Sequence, residues 1–80
     1  MKMPRDVSAD ELIRALRVLG YTATRQTGSH IRITTERGGQ HHVTIPNHSP
    51  VKVGTVRGIL KSVADHHALE VPDLLETLKL

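Results

Sequence analysis

Three features of the sequence predict an α+β fold in which a helix, a three-stranded antiparallel sheet and two further helices follow one another. Leu12, Ala15, Leu16 and Leu19 recur at i, i+3, i+4 and i+7, the spacing of one apolar helical stripe. Ile31, Ile33, Val43 and Ile45 alternate with polar neighbours, as half-buried strands do. Beyond a proline-flanked loop, Val56, Ile59, Leu60 and Val63 restore the helical period. The helices are needed to cover the one apolar face of the sheet.

Ser8-Ala9-Asp10-Glu11 has the form of a capping box, with the Ser8 hydroxyl on the first turn and Glu11 reaching back. Gly20 is expected to end that helix as its C-terminal cap. Pairing parity then sets the hairpins. For Ile31 and Ile33 to share a face with Ile45 and Val43, Glu36 must stand opposite Gln40, leaving Arg37-Gly38-Gly39 as a loop with a glycine in the left-handed region. The same register gathers His30, Arg32, His42 and Thr44 on the polar face. By equal parity, Tyr21 and Ala23 join Ile31 and Ile33 if the first loop is Thr27-Gly28-Ser29. Pro46-Asn47-His48-Ser49-Pro50 cannot extend the ladder and is read as a connecting loop. A helix is expected from about Gly54 or Thr55, with Arg57 and Lys61 at i, i+4 on its polar side, and Asp65-His66-His67 marks its break. A short last helix starts at Pro72 and buries Leu74, Leu75 and Leu78.

Composition narrows the class. Eighty residues suit one domain, and with no Phe, no Trp and only Tyr21 the core must be aliphatic. The absence of cysteine excludes disulfides, thiolate metal sites and a thiol nucleophile, and fits a reducing cytoplasm. No apolar run approaches the length of a membrane span or signal-peptide core. Eleven Lys and Arg against eight Asp and Glu give a formal charge of +3. The basic residues lie mostly in the first three quarters, so a polyanion would be met there.

Gly28-Ser29-His30 is the most informative tripeptide. The glycine can take the positive φ of a tight turn and leaves room for a ligand beside the backbone, and the histidine is a candidate acid, base or phosphate contact. Four stretches then carry a family resemblance: Leu19-Gly20-Tyr21, Arg25-Gln26-Thr27-Gly28-Ser29-His30, Val43-Thr44-Ile45-Pro46 and Gly54-Thr55-Val56-Arg57-Gly58-Ile59-Leu60-Lys61. In this order they resemble the HicA toxins, the small messenger-RNA-cleaving partners of bacterial HicA/HicB toxin-antitoxin modules, over most of residues 10 to 64. The resemblance implies the α-β-β-β-α fold of double-stranded RNA-binding domains, a catalytic role for His30 supported by Gly28 and Ser29, and a HicB-type antitoxin as partner. It also implies one domain over residues 1–80, with the family-like core at about 8–64 and a helical extension at 65–80. Where the family often carries another histidine and an aromatic residue after the catalytic position, this chain has Ile31-Arg32-Ile33.

RNA brings its own nucleophile, the 2′-hydroxyl, so mRNA cleavage needs positioning, proton transfer and charge stabilisation rather than a metal or cofactor. His30 suits the proton transfer, and His42 is a candidate second proton-transfer group. Arg25 or Arg32 would stabilise the phosphorane or hold a neighbouring phosphate. Lys52, Arg57 and Lys61 complete the expected RNA-binding set. The scarcity of aromatic residues disfavours a base-stacking platform. Metal binding is the competing use of six histidines, but His41-His42 on a strand point to opposite faces, and neither adjacent pair makes a ready chelate. A non-catalytic RNA-binding module is the alternative to an endoribonuclease toxin.

Overall fold

A computed structural model describes residues 3–80. Helix α1 (Ala9–Leu16) starts where the sequence places it, since the Ser8 Oγ accepts the Glu11 amide at 3.1 Å and the Glu11 carboxylate accepts the Ser8 amide at 3.3 Å. Such a cap contributes about 1 kcal/mol. The helix is shorter than its apolar period implies. A 3₁₀ turn, Arg17–Leu19, replaces its last turn, so Ala9, Leu12, Ile13 and Leu16 make the buried stripe while Ala15 and Leu19 are only half-buried. Gly20 caps this turn at φ +86°, where a Cβ would stand 2.8 Å from the Thr35 Oγ1. That hydroxyl is itself engaged, donating to the Leu19 carbonyl at 2.8 Å and accepting the Arg37 amide at 3.2 Å.

Three antiparallel strands follow in a sheet of order β1-β2-β3: β1 (Thr22–Thr27), β2 (His30–Thr35) and β3 (His41–Pro46). The second hairpin has the expected register, from His30↔Pro46 to Thr35↔His41, with Ile31↔Ile45 and Ile33↔Val43 between. Its loop uses two left-handed glycines, Gly38 at φ +66° and Gly39 at φ +99°.

The first hairpin departs from the expected loop. Thr22↔Thr34 and Ala23↔Ile33 pair as parity requires, but a bulge at Thr24 shifts the rest to Arg25↔Arg32, Gln26↔Ile31 and Thr27↔His30. Thr27 therefore belongs to the strand, and the turn is the two residues Gly28-Ser29, with Gly28 at φ +58°. A two-residue turn with glycine in its first position matches the twist of paired strands, and the bulge at Thr24 takes up the one-residue shift between the pairing this turn sets and that of Ala23 with Ile33. Ala23 faces the same side as Ile33, yet it is exposed, as is all of β1.

Helix α2 (Val53–His66) begins a residue or two before its expected start and runs on through Asp65 and His66, past the expected break. Helix α3 (Val71–Leu78) has Pro72 in its first turn and buries Leu74, Leu75 and Leu78. Both long helices lie on one side of the sheet, where Leu12, Leu16, Ile33, Ile45, Leu60 and Leu74 are fully buried around Tyr21, the largest buried side chain. At about 1.5–3 kcal/mol per buried aliphatic side chain, this single layer carries the stability of the fold. No helix is long and apolar enough to cross a membrane among the described residues.

The Tyr21 hydroxyl reaches a cluster of imidazoles at the edge of the core. It lies 2.7 Å from the His41 Nδ1 and 3.1 Å from the His67 Nε2. His41 continues to the Ser62 hydroxyl at 3.2 Å and stacks on His66 with ring centres 4.4 Å apart. His66 Nε2 faces the carbonyls of Arg37 at 2.9 Å and Gly39 at 3.1 Å, so this nitrogen must carry a proton and donate. The cluster thereby ties the loop after β2, the start of β3 and the end of α2 together. Burial pushes the Tyr21 phenol up to about 12. Burial also lowers His41, aided by the charges of His66 and His42, and lowers His67, aided by His66, His41 and Arg37.

Neutral rings at His41 and His67 stabilise the fold in full above about pH 6.5, the ordinary histidine value, and this contribution fades as pH falls through their lowered values. Thermal unfolding followed between pH 8 and 5 should show a plateau above pH 7 and a falling Tm below 6.5. In a His41→Asn/His67→Asn protein the decline over that window should be shallower.

Candidate nucleic-acid interface

Period-two alternation sends His30, Arg32 and Thr44 to the side of the sheet that no helix covers, and all three are exposed. The bulge adds what parity alone would deny. Carried on without interruption, the Ala23↔Ile33 register would set Arg25 opposite Ile31 on the apolar side; the extra residue Thr24 instead turns Arg25 to face Arg32, and Thr27 to face His30. Arg25, Thr27, His30, Arg32 and Thr44 line one shallow cavity of about 330 Å³. Thr27 is not among the residues that the sequence places here. As part of a loop it has no face; a two-residue glycine turn is the signal that would place it.

The cavity is electropositive by construction. Arg25 and Arg32 stand directly opposite each other, and like charges so placed across a ladder destabilise it. Neither has a carboxylate partner among the described residues, where the ion pair formed is Arg14 with Asp10 on α1. Two unneutralised guanidiniums beside an imidazole suit a phosphate or another compact anion, which arginine forks bind in bidentate fashion. His30 makes no side-chain hydrogen bond among the described residues, so its ring is free to turn toward a ligand.

The remaining expected residues are distributed rather than gathered. His42 shares the polar face, as the register requires, but it pairs with Thr34, four residues along β3 from the Pro46 that pairs with His30. That is about 13 Å along the strand at roughly 3.3 Å per residue, with Arg32 and Thr44 between. Its Nδ1 lies 2.8 Å from the Thr34 Oγ1, which lies 2.8 Å from the Thr24 Oγ1. Lys52 caps the start of α2, and Arg57 and Lys61 lie on the exposed side of that helix, outside the cavity. Between them Gly54 and Gly58 are exposed, and a Cβ on either would meet nothing within 4 Å. The Gly28-Ser29 turn is held to the start of the 47–52 connection, since the Asn47 amide donates to the Ser29 carbonyl at 2.6 Å. Among the described residues no group of three or more His, Asp or Glu side chains is arranged to hold a metal ion. The clustered rings of His41, His66 and His67 are engaged by Tyr21, Ser62 and backbone carbonyls.

A helix, a meander and two helices, with a basic pair and an unbonded imidazole on the bare sheet face, define a small α+β protein with an open, basic surface. Residues 9–64 match the family model of the HicA toxin of bacterial toxin-antitoxin systems, and the chain belongs to that family. It is thus the toxin member of a toxin-antitoxin pair, with an antitoxin as its counterpart. No curated protein and no solved structure matches the chain.

Because Arg25 and Arg32 repel across the ladder, replacing Arg25 by Gln should raise Tm slightly in the free protein, and more at low than at high ionic strength. Thermal melts of the two proteins at low and high salt measure this directly.

Proposed function

We propose that this toxin is an endoribonuclease that cleaves mRNA, with His30 as the proton-transfer residue, and so arrests translation and growth. The observation that carries the reading is the cavity in which Arg25 and Arg32, lacking carboxylate partners, flank an unbonded His30. In RNA the 2′-oxygen attacks the adjacent phosphorus, the bond from phosphorus to the 5′-oxygen breaks, and the 5′-oxygen takes its proton from solvent water as it leaves. His30 takes the 2′-hydroxyl proton, while the two guanidiniums offset the charge that gathers on the phosphorane. The nucleophile belongs to the substrate, so a metal is not required for its activation. His30 carries the assignment alone, because His42 stands four residues farther along the sheet, outside the cavity, with its Nδ1 on the Thr34 hydroxyl.

Lys52, Arg57 and Lys61 are assigned to flanking phosphates, with Gly54 and Gly58 leaving the helix flat for close approach. The double-stranded RNA-binding-domain type of fold agrees with a grip on backbone and shape, and the near absence of aromatic side chains agrees with little base stacking. A HicB-type antitoxin in the cytoplasm then neutralises the toxin by covering the basic face, its acidic side chains standing in for phosphates. The alternative, a non-catalytic RNA-binding module, draws on one observation: no hydrogen bond among the described residues orients the His30 ring.

Comparing the protein with its His30→Ala variant decides between the two. His30 is exposed, so the variant should keep its Tm, whereas RNA cleavage and growth arrest on induced expression should disappear. Equal growth arrest by both proteins would sink the catalytic assignment. For the grip, neutralising Arg57 and Lys61 should weaken binding of all RNA sequences alike and flatten the dependence of log affinity on log salt by about 0.7 for each phosphate no longer held. The same variants, and Arg25→Ala, should lower affinity for the antitoxin in parallel.

A further inference from the structure

Strand β1 lies at the edge of the sheet and all six of its residues are exposed, so burial does little to select its register. Two pairings compete for its distal half. In the observed one, the bulge sets Arg25 opposite Arg32 and Thr27 opposite His30. In the uninterrupted one, Thr24 would face Arg32, Arg25 would face Ile31 and Gln26 would face His30. Charge favours the second, because it separates the two guanidiniums and sends Arg25 to the other side of the strand.

Loop length favours the observed pairing through the two-residue Gly28-Ser29 turn, and the residue inserted at the bulge adds a specific interaction of its own. Thr24 Oγ1 donates to the Arg32 carbonyl at 3.4 Å and lies 2.8 Å from the Thr34 Oγ1. Thr34 is only 7% exposed and lies on the face without helices, where its hydroxyl also meets the His42 Nδ1 at 2.8 Å. With the Thr24 proton given to the carbonyl, Thr34 donates to Thr24 and accepts from the His42 Nδ1–H, so one chain of bonds crosses all three strands. In the uninterrupted pairing Thr24 would stand opposite Arg32 and diagonal to Thr34, with Cα atoms roughly 7–8 Å apart, at the outer limit of reach for two short hydroxyl side chains.

We propose that the Thr24–Thr34–His42 chain locks the bulge and thereby aims Arg25 into the cavity beside His30, which makes Thr34 a positioning residue for the substrate phosphate. The aiming rests on the phosphate reading of the cavity; the lock itself does not.

The register can be read in the free protein from cross-strand amide and α-proton NOEs. In Thr34→Val, and in Thr24→Val, where the changed side chain is exposed and the fold is not at risk, the Arg25–Arg32 contact should give way to Arg25–Ile31. Thr34→Ser, which keeps the hydroxyl, should retain Arg25–Arg32. Binding of a single-stranded RNA oligonucleotide, measured with His30→Ala in every protein so that the RNA survives, supplies the functional arm. Either valine variant should weaken affinity by the same factor as Arg25→Ala, flatten the salt slope by about 0.7, and show no further weakening when combined with Arg25→Ala. An unshifted Arg25–Arg32 contact in both valine variants overturns the lock. A shifted register with undiminished affinity, where Arg25→Ala alone weakens binding, overturns the aiming. If Arg25→Ala leaves RNA affinity unchanged, the phosphate reading of the cavity falls, and the NOE result still judges the lock.

Discussion

The described helices cover one face of the three-stranded sheet, and the rest of the layout follows from which face is left bare. The apolar sides of β2 and β3 are sealed by α1 and α2, and Ile33 and Ile45 are fully buried. Among the described residues no helix covers the other side. The alternation that places isoleucines inward must then present His30, Arg32, His42 and Thr44 to solvent, so the core and the ligand face are specified by the same residues read in opposite parity. Edge strand β1 escapes this discipline. With both its faces exposed it is free to bulge, and the bulge gives the bare face its second guanidinium.

Much of this is legible in the residues alone. Ser8 and Glu11 announce a helix start by chemistry local to four residues, and Gly20 announces a stop. The β2–β3 register follows from parity, which puts Ile31, Ile33, Val43 and Ile45 on one face, together with the short Arg37-Gly38-Gly39 loop. What stays hidden has a common cause. Parity assumes an unbroken ladder, and nothing in Thr24 or its neighbours marks an inserted residue, because β1 buries too little for its pattern to constrain anything. Likewise the apolar period of α1 continues to Leu19 although the backbone has already tightened into a 3₁₀ turn, which side-chain spacing alone does not distinguish.

The histidines illustrate the limit of reading neighbours in sequence. His41-His42 and His66-His67 each look like adjacent pairs with no shared task. In space, His41 joins His66 and His67 from the far end of α2, while His42 is left on the opposite face with Thr34. Tertiary contact sorts the four rings into one structural cluster and one ring beside the ligand face. A single buried hydroxyl on Tyr21 is what the cluster serves, since an unsatisfied phenol in an aliphatic core would cost on the order of 1–3 kcal/mol.

That cluster also bears on where the folding unit ends. The family match stops at residue 64, just before His67, which shares the Tyr21 hydroxyl with His41, and before Leu74, Leu75 and Leu78, which pack into the same core. Tyr21, His41 and Ser62 lie within the matched segment, but His67, the second partner of the Tyr21 hydroxyl, His66, whose ring stacks on His41, and part of their apolar cover lie after it. The last sixteen residues thus act as a keystone rather than an appendage: a boundary drawn from recurring motifs marks what the family shares, and the cooperative core of this chain extends past it.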